Sequence, residues 1–177
     1  MQSYVQRSKD KSPFSRKKRL GQLVWEIIWC LLCEWTPKPL NRWRLLVLRS
    51  FGVKINGLPF VHQRARIDHP WNLILKDGSC LGDRTHAYCF GRVEIESGAC
   101  VAQEAYLCTA SHDLNKPNWP LITAPIYIGK DSFIGARAFI MPGVSIGENC
   151  IVGACTTVTN SLPAFAKVVG DKARYIN

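Results

Sequence analysis

The segment IYIGKDSFIGARAFIMPGVSIGENCIVGACTTVT, residues 126–159, places an aliphatic residue at every sixth position without a break. The repeated residues are Ile128, Ile134, Ile140, Ile146, Val152 and Val158. This period fits neither an α-helix, which repeats about every 3.6 residues, nor a strand, which alternates about every two. It is the period of hexapeptide β-helix repeats, in which short strands coil around one axis.

The repeat predicts a prism with three flat faces and three short strands in each turn of about 18 residues. The aliphatic side chains point inward and stack about 4.8 Å apart along the axis. The same register appears earlier in the chain, at Leu75, Leu81, Ile95, Val101 and Leu107. We therefore predict an all-β solenoid, a parallel β-helix of about five coils, over residues 55–163. Residues 164–177 form a C-terminal tail that helps to cap it.

The repeat is interrupted once, directly after the segment Ser111-His112-Asp113. The next in-register aliphatic residue after Leu107 is Ile128, 15 residues later than the period requires. The excess predicts a loop insertion over residues 113–125, which contains Trp119. A loop that leaves a rigid scaffold is a common place for a binding site, so His112 at its root is a candidate general base. The alternative is a histidine that only caps the loop.

The N-terminal third differs from the rest of the chain in charge and periodicity. Residues 1–54 contain 12 Lys and Arg against 3 Asp and Glu, whereas the remaining residues are nearly neutral. Residues 1–19 lack an apolar period and are predicted to be a basic flexible tail. Residues 20–54 are predicted to be an amphipathic helical extension with two helices. One apolar face of the first helix contains Leu20, Leu23, Val24, Ile27, Ile28, Leu31, Leu32 and Trp35.

Two interpretations of these helices stay open. They either pack on the solenoid or a neighbouring subunit, or they contact an anionic membrane surface. In the second case Trp25, Trp29 and Leu32 would enter the headgroup region and the basic residues would meet anionic lipid. The body of the chain has no basic stripe, so nucleic acid is not an expected partner.

Composition, apolar run length and cysteine content also limit the class of protein that the chain can be. The chain has 177 residues, of which 47% are hydrophobic, enough for one domain with a substantial core. No apolar run approaches the roughly 20 residues that cross a bilayer. No secretory signal follows Met1, so the 8 cysteines are expected to be free thiols in a reducing cytoplasm.

The hexapeptide pattern resembles the left-handed parallel β-helix acyltransferases. Within them, LCTASHDLNKPNWPLITAPIYIG (residues 107–129) and GARAFIMPGVSIGENCIVGACTTVT (residues 135–159) are similar to the sugar O-acetyltransferases. With the Trp-rich N-terminal helices, the chain is most similar to the colanic-acid biosynthesis type. The resemblance implies a homotrimer with acetyl-CoA as the acyl donor, no metal, and His112 as general base. Asp113, the next residue in the chain, is a candidate to orient the His112 ring.

The resemblance also implies positions for the two substrates. Ala136 and Ala154 match backbone contacts to the pantetheine arm of the donor. Thr159 and Asn160 match a Thr-Lys pair near the nucleotide, and Arg174 matches a residue that reaches a coenzyme phosphate. For the acceptor, Tyr88 and Trp119 are candidates, although Tyr88-Cys89-Phe90-Gly91 stands where the family has a polar residue.

The leading hypothesis is therefore a cytoplasmic acetyl-CoA-dependent O-acetyltransferase of exopolysaccharide or lipopolysaccharide biosynthesis. A lipid-linked sugar acceptor and peripheral contact with the inner face of the plasma membrane fit the basic N-terminus. Alternatives are a non-catalytic scaffold and an N-acyl or longer-chain acyltransferase. A hexapeptide carbonic anhydrase needs three zinc-binding histidines, and only His112 is suitably placed.

Overall fold

The computed structural model describes residues 16–117 and 119–170, which form two helices followed by a parallel β-helix. The helices are α1 (Arg16–Leu32) and α2 (Asn41–Ser50), joined through a 3₁₀ turn over Lys38–Leu40. A second 3₁₀ turn covers Pro70–Asn72. No helix within these ranges combines the length and the hydropathy needed to span a membrane.

The solenoid consists of short strands of two or three residues. The first nine are β1 (Lys54–Ile55), β2 (Phe60–Val61), β3 (Arg66–Asp68), β4 (Leu73–Leu75), β5 (Cys80–Leu81), β6 (His86–Tyr88), β7 (Val93–Ile95), β8 (Cys100–Val101) and β9 (Tyr106–Cys108). The next nine are β10 (Ala110–His112), β11 (Leu121–Thr123), β12 (Ile126–Ile128), β13 (Phe133–Ile134), β14 (Phe139–Ile140), β15 (Ser145–Ile146), β16 (Ile151–Val152), β17 (Thr157–Val158) and β18 (Lys167–Val168).

These strands form the three parallel sheets of a prism, which confirms the predicted parallel β-helix. The first face contains β1, β4, β7, β12 and β15; the second contains β2, β5, β8, β13, β16 and β18; the third contains β3, β6, β9, β14 and β17. The solenoid extends from Lys54 to Val168, because β18 pairs with β16 beyond the predicted end at residue 163. The remaining strands, β10 and β11, form an antiparallel hairpin.

The coils differ in length, which the repeat alone did not predict. Ile55 pairs with Leu75, and Leu75 with Ile95, so each early coil has two residues more than the predicted 18. From Ile128 onward the pairing with Ile146 restores the shorter coil. The extra residues widen the corner between the third and first faces, at residues 68–72 and 88–92. This wide corner is also where the hairpin leaves the prism.

The interior is a column of aliphatic side chains stacked from coil to coil. Each inward residue has a register partner directly above and below it, as Val101 has Leu81 and Ile134. The inward residues predicted from the repeat are all buried, and the small residues at the corners are mostly buried beside them. Shielding this apolar column from water is the main source of stability of the fold.

The helices pack on the first coil through a side of α1 that the periodicity did not identify. Trp25 and Trp29 are buried, and the Trp25 indole N–H donates to the Ile67 carbonyl at 2.6 Å. The predicted aliphatic face, which includes Leu20 and Ile27, is exposed instead. Buried Trp25 and Trp29 cannot enter a membrane, so that part of the membrane interpretation is wrong. The helix also begins at Arg16, four residues earlier than predicted, since Arg and Lys are good helix formers.

A buried arginine joins the helices to the prism. The Arg44 side chain is fully buried, and its guanidinium donates to the carbonyls of Val61, Pro37 and Lys38 at 2.9–3.0 Å. It also donates to the Thr36 hydroxyl at 2.9 Å. Burial lowers the pKa of this guanidinium from its usual value. Arg44 thus satisfies polar groups at the end of α1, at the start of α2 and in β2.

Replacing Arg44 with Met tests this role, because Met retains much of the volume but takes the guanidinium donor from the buried Val61 carbonyl. The Pro37 and Lys38 carbonyls each lose one donor and keep a backbone amide. Buried unsatisfied acceptors are costly, so we expect the free energy of unfolding to fall by about 2–4 kcal/mol. Urea denaturation of both proteins measures the change. Exposed Arg42→Met is the matched control and should unfold like the wild type. Equal stability of the two variants would contradict the anchoring role.

Candidate active site

The hairpin that interrupts the repeat holds His112 at the end of a strand. In this hairpin His112 pairs with Leu121, and the first strand begins at Ala110, so the insertion starts three residues before the predicted loop. The Asp113 amide donates to the Pro120 carbonyl at 3.0 Å and closes the base of the loop. His112 is therefore fixed by backbone pairing on both sides while its side chain is exposed.

A single hydrogen bond sets the protonation pattern of the His112 ring. The ring Nδ1 lies 2.7 Å from the Trp119 carbonyl oxygen. Because a carbonyl can only accept, Nδ1 must carry the proton in the neutral ring. The lone pair then sits on Nε2, which is free to take a proton from another group. The predicted general base is thus oriented, and Trp119, a residue in the left-handed conformation with φ of 44°, supplies the contact.

Asp113, the residue next to His112 and a candidate to orient its ring, contacts the loop instead. Its Oδ1 accepts a hydrogen bond from the Asn115 amide at 3.1 Å, and its Oδ2 lies 3.3 Å from the Lys116 ammonium. Within the described part of the chain, neither oxygen contacts His112. The physical reason is local: a carboxylate at the start of a turn readily caps the backbone two residues later. Asp113 shapes the loop, and the Trp119 carbonyl does the orienting.

Thr109 ties the hairpin to the preceding coil. Its buried hydroxyl donates to the Tyr88 carbonyl at 2.5 Å and accepts from the Gly91 amide at 2.8 Å. Gly91 also packs so closely that an added Cβ would lie 3.1 Å from the Ala124 carbonyl oxygen. Sequence reasoning missed Thr109, because a threonine beside an insertion carries no distinctive pattern.

Tyr88 lies in register with Cys108 at the same wide corner, so the structure places this acceptor candidate one coil away from the hairpin. Its ring packs on Phe90 with centroids 4.3 Å apart. Burial, and to a lesser degree the charge of Asp68, raises the pKa of the Tyr88 phenol. The phenol therefore stays protonated near neutral pH and can donate a hydrogen bond.

A partly buried hydrogen-bonded pair, His86 and Asp68, lies beside Tyr88 and was not found from the sequence. His86 Nε2 is 2.8 Å from Asp68 Oδ2. Burial by itself would raise the pKa of the Asp68 carboxyl, but the hydrogen bond and charge of His86 outweigh it and lower that pKa. The two residues are 18 positions apart, which suggests equal places on an 18-residue coil. The longer early coils place them diagonally, so the separation gave no usable signal.

The donor candidates divide between two corners of the prism. Ala136 and Ala154 lie on adjacent coils at the corner between the second and third faces, where the Cys155 amide donates to the Ala136 carbonyl at 2.8 Å. Exposed Thr159 and Asn160 lie at the other end of the third face, on the corner that also bears His112. One face of the prism therefore separates Ala136 and Ala154 from the candidate base. Arg174 lies outside the described residues.

Side chains that could bind a metal ion are not clustered in the described part of the chain. Over residues 16–117 and 119–170, no group of three or more His, Cys, Asp or Glu side chains is arranged to hold a metal ion. His62 is buried and pairs with Asp83, with 3.2 Å between Nδ1 and Oδ1. All 8 cysteines are free thiols.

Among known proteins, a family model matches the repeat and a relative aligns with most of the chain. Residues 125–160 fit the family model described as bacterial transferase hexapeptide (six repeats). WcaF of Escherichia coli strain K12, a protein named for acetyl transfer in colanic acid biosynthesis, is 35% identical over 150 residues. That alignment covers 85% of this chain and 82% of WcaF.

Solved structures share the fold at lower identity. A maltose O-acetyltransferase from Clostridium difficile aligns with a TM-score of 0.76 and 22% identity, covering 92% of this chain and 88% of that chain. A hexapeptide-repeat acetyltransferase from Vibrio cholerae, crystallised with acetyl coenzyme A, gives a TM-score of 0.77 at 18% identity, covering 91% of this chain and 88% of that one. The β-helix and its N-terminal helices are thus a known architecture.

Proposed function

The chain belongs to the hexapeptide-repeat acetyltransferases of the left-handed β-helix fold, and on that premise we propose that it transfers an acetyl group from acetyl-CoA to a sugar hydroxyl. The observation that supports this most directly is the His112 ring, whose Nδ1 is held by the Trp119 carbonyl and whose Nε2 is free. The acceptor is a glycan of exopolysaccharide or lipopolysaccharide biosynthesis, or its lipid-linked precursor.

The reaction needs one group that can both accept and return a proton. Nε2 of His112 takes the proton of the sugar hydroxyl as its oxygen attacks the thioester carbonyl. The C–O bond forms, the C–S bond breaks, and the proton passes to the thiolate that leaves as coenzyme A. A neutral imidazole with its lone pair on Nε2 is a suitable acceptor for this proton. The other proton stays on Nδ1, which donates it to the Trp119 carbonyl throughout.

Acceptor recognition is assigned to the wide corner beside the hairpin. Tyr88 offers a protonated phenol, and the exposed Trp119 ring offers an apolar surface of the kind on which sugar rings stack. Both residues lie on coils that Thr109 links through its hydroxyl. The stretch 88–91, where the resemblance places a polar residue, has no asparagine or aspartate, so we assign hydroxyl recognition there to Tyr88.

The division of the donor residues between two corners supports a site shared by neighbouring subunits. Ala136 and Ala154 cannot serve the same donor as His112 within one chain, because a full face of the prism separates them. In a homotrimer, the corner with His112, Thr159 and Asn160 would face the Ala136 corner of the next copy. The donor would then lie between two chains. We place the reaction in the cytoplasm, where acetyl-CoA is supplied, with the enzyme in peripheral contact with the membrane.

Substitution of His112 separates the catalytic role from a structural one. We expect His112→Ala to lower kcat/KM about 10²–10⁴-fold, the usual contribution of a general base. Asp113→Asn should cost much less, because Asp113 contacts Asn115 and Lys116 rather than the ring. Release of free coenzyme A with the best sugar acceptor measures both rates.

Calorimetry with coenzyme A is the control for this experiment. His112→Ala should bind coenzyme A like the wild type, which shows that the donor site is intact. A His112→Ala variant that kept more than about a tenth of the activity would rule out His112 as the base. A wild-type protein that bound no coenzyme A would support the alternative of a non-catalytic scaffold.

A substitution on the second face of the prism tests the oligomeric state. Phe133 and Ile151 are register partners there, and both side chains are 44% exposed, which suits a face covered by another copy. We expect light scattering to show a trimer and Phe133→Glu to give a monomer of 19.9 kDa without activity, although His112 is unchanged. Leu58→Glu, another exposed apolar position, is the matched control. A fully active wild-type monomer would contradict the shared site.

A further inference from the structure

The side of α1 that faces away from the prism is apolar from Leu20 to Leu31. Five side chains, 42–62% exposed, form this side: Leu20, Leu23, Val24, Ile27 and Leu31. With about 100° between successive helical residues, they fall on one stripe opposite buried Trp25 and Trp29. A helix that is apolar on both sides is normally covered on both. The prism covers the inner side, whereas none of the described residues covers the outer stripe.

The stripe continues onto α2 through two tryptophans. The Trp43 indole N–H donates to the Leu32 carbonyl at 2.9 Å, which holds the exposed Trp43 ring against the end of α1. Trp35 is 70% exposed, and its N–H donates to the Leu31 carbonyl at 2.7 Å. Both rings are thus held at the surface with their polar atoms already satisfied, which suits the boundary between water and lipid.

A groove with basic edges lies at the far end of the stripe. It has a volume of about 350 Å³ and is lined by Arg42, Leu45, Leu46, Arg49 and Leu58. Leu46 and Leu58 are more than half exposed. We call the α1 stripe, Trp35, Trp43 and this groove the helical patch. It contains 9 of the 19 exposed large apolar side chains in the described part of the chain.

Charge distinguishes the occupants that could cover the helical patch. Arg16 and Lys17 stand at one end of it, and Arg42 and Arg49 stand at the other. In residues 16–117 and 119–170, no carboxylate forms an ion pair with any of these four. The two acidic residues of the segment, Glu26 and Glu34, line a different cavity, with Arg64 and Arg66.

We propose that the helical patch docks on the surface of a bilayer that contains anionic phospholipid. The aliphatic stripe and the two tryptophans enter the headgroup region, and Arg42 and Arg49 bind lipid phosphates beside the groove. A second copy of the chain is a poorer occupant, because joining two patches brings unpaired cations together without a carboxylate between them. This inference stands on the helices alone and does not depend on acyl transfer.

Sedimentation of the full-length protein with vesicles tests the proposal. We expect binding to phosphatidylcholine vesicles that contain phosphatidylglycerol and much weaker binding to phosphatidylcholine alone. Salt should weaken the binding, since the Debye length falls from about 10 Å at 0.1 M to about 3 Å at 1 M, but the apolar contact should leave a remainder. Equal binding to both vesicles, or none at low salt, overturns the proposal.

Variants separate the helical patch from the basic segment that precedes it. We expect Ile27→Asp and the pair Arg42→Glu and Arg49→Glu each to weaken binding at least tenfold. Val169→Asp and Lys130→Glu are the controls: Val169 and Lys130 are exposed on the prism and should not affect binding when changed. All the substituted positions are exposed, so thermal denaturation should match the wild type.

Two further outcomes would overturn the proposal. Vesicle binding that survives both patch changes would assign the affinity to residues 1–15, which contain Arg7, Lys9 and Lys11. A change of oligomeric state in Ile27→Asp, with vesicle binding unchanged, would make the patch an interface between copies. Light scattering on the same samples reads out the second outcome.

Discussion

The coil-to-coil stacking of inward aliphatic side chains is the constraint on which the rest of the structure depends. Each of these residues must lie directly over its partner, at the spacing of about 4.8 Å between paired strands. A shift of one residue would turn the whole apolar set outward, so the register is strongly fixed. The stacking therefore also fixes the corners of the prism, where Tyr88, Ala136 and Thr159 lie. Tyr88, Cys108 and the His112 hairpin are adjacent because Ala87 and Leu107 are stacked.

The β-helix could be predicted from the sequence, because an aliphatic residue at every sixth position has few structural explanations. The location of His112 followed as well, since an insertion after a regular repeat must leave the scaffold at a definite point. The length of the early coils could not be predicted. The two added residues lie at the wide corner, and the six-residue spacing between the other faces is unchanged. Because the coil length was not known, the contact between Asp68 and His86 and the hydrogen bonds of the Thr109 hydroxyl could not be predicted.

The orientation of α1 could not be predicted from the sequence either, for a different physical reason. Its aliphatic stripe has the regular spacing that usually marks a buried face, yet Trp25 and Trp29 are the residues that pack on the prism. Two large rings bury more surface per residue than leucines do, and Trp25 adds a hydrogen bond to the Ile67 carbonyl. Periodicity counts apolar positions and does not weigh their size. Asp113 shows the same limit, because adjacency to His112 says nothing of where its carboxylate points.

Mixing two inactive variants tests most directly whether the base and the donor groove come from different chains. His112→Ala removes the base, and Ala154→Trp fills the groove at an exposed position, so each homotrimer should be inactive. Unfolding and refolding equal amounts together gives random trimers, in which about a quarter of the sites combine an intact base with an intact groove. The account predicts recovery of coenzyme A release to about that fraction of wild type. Mixed trimers with no activity would contradict a site shared between neighbouring chains.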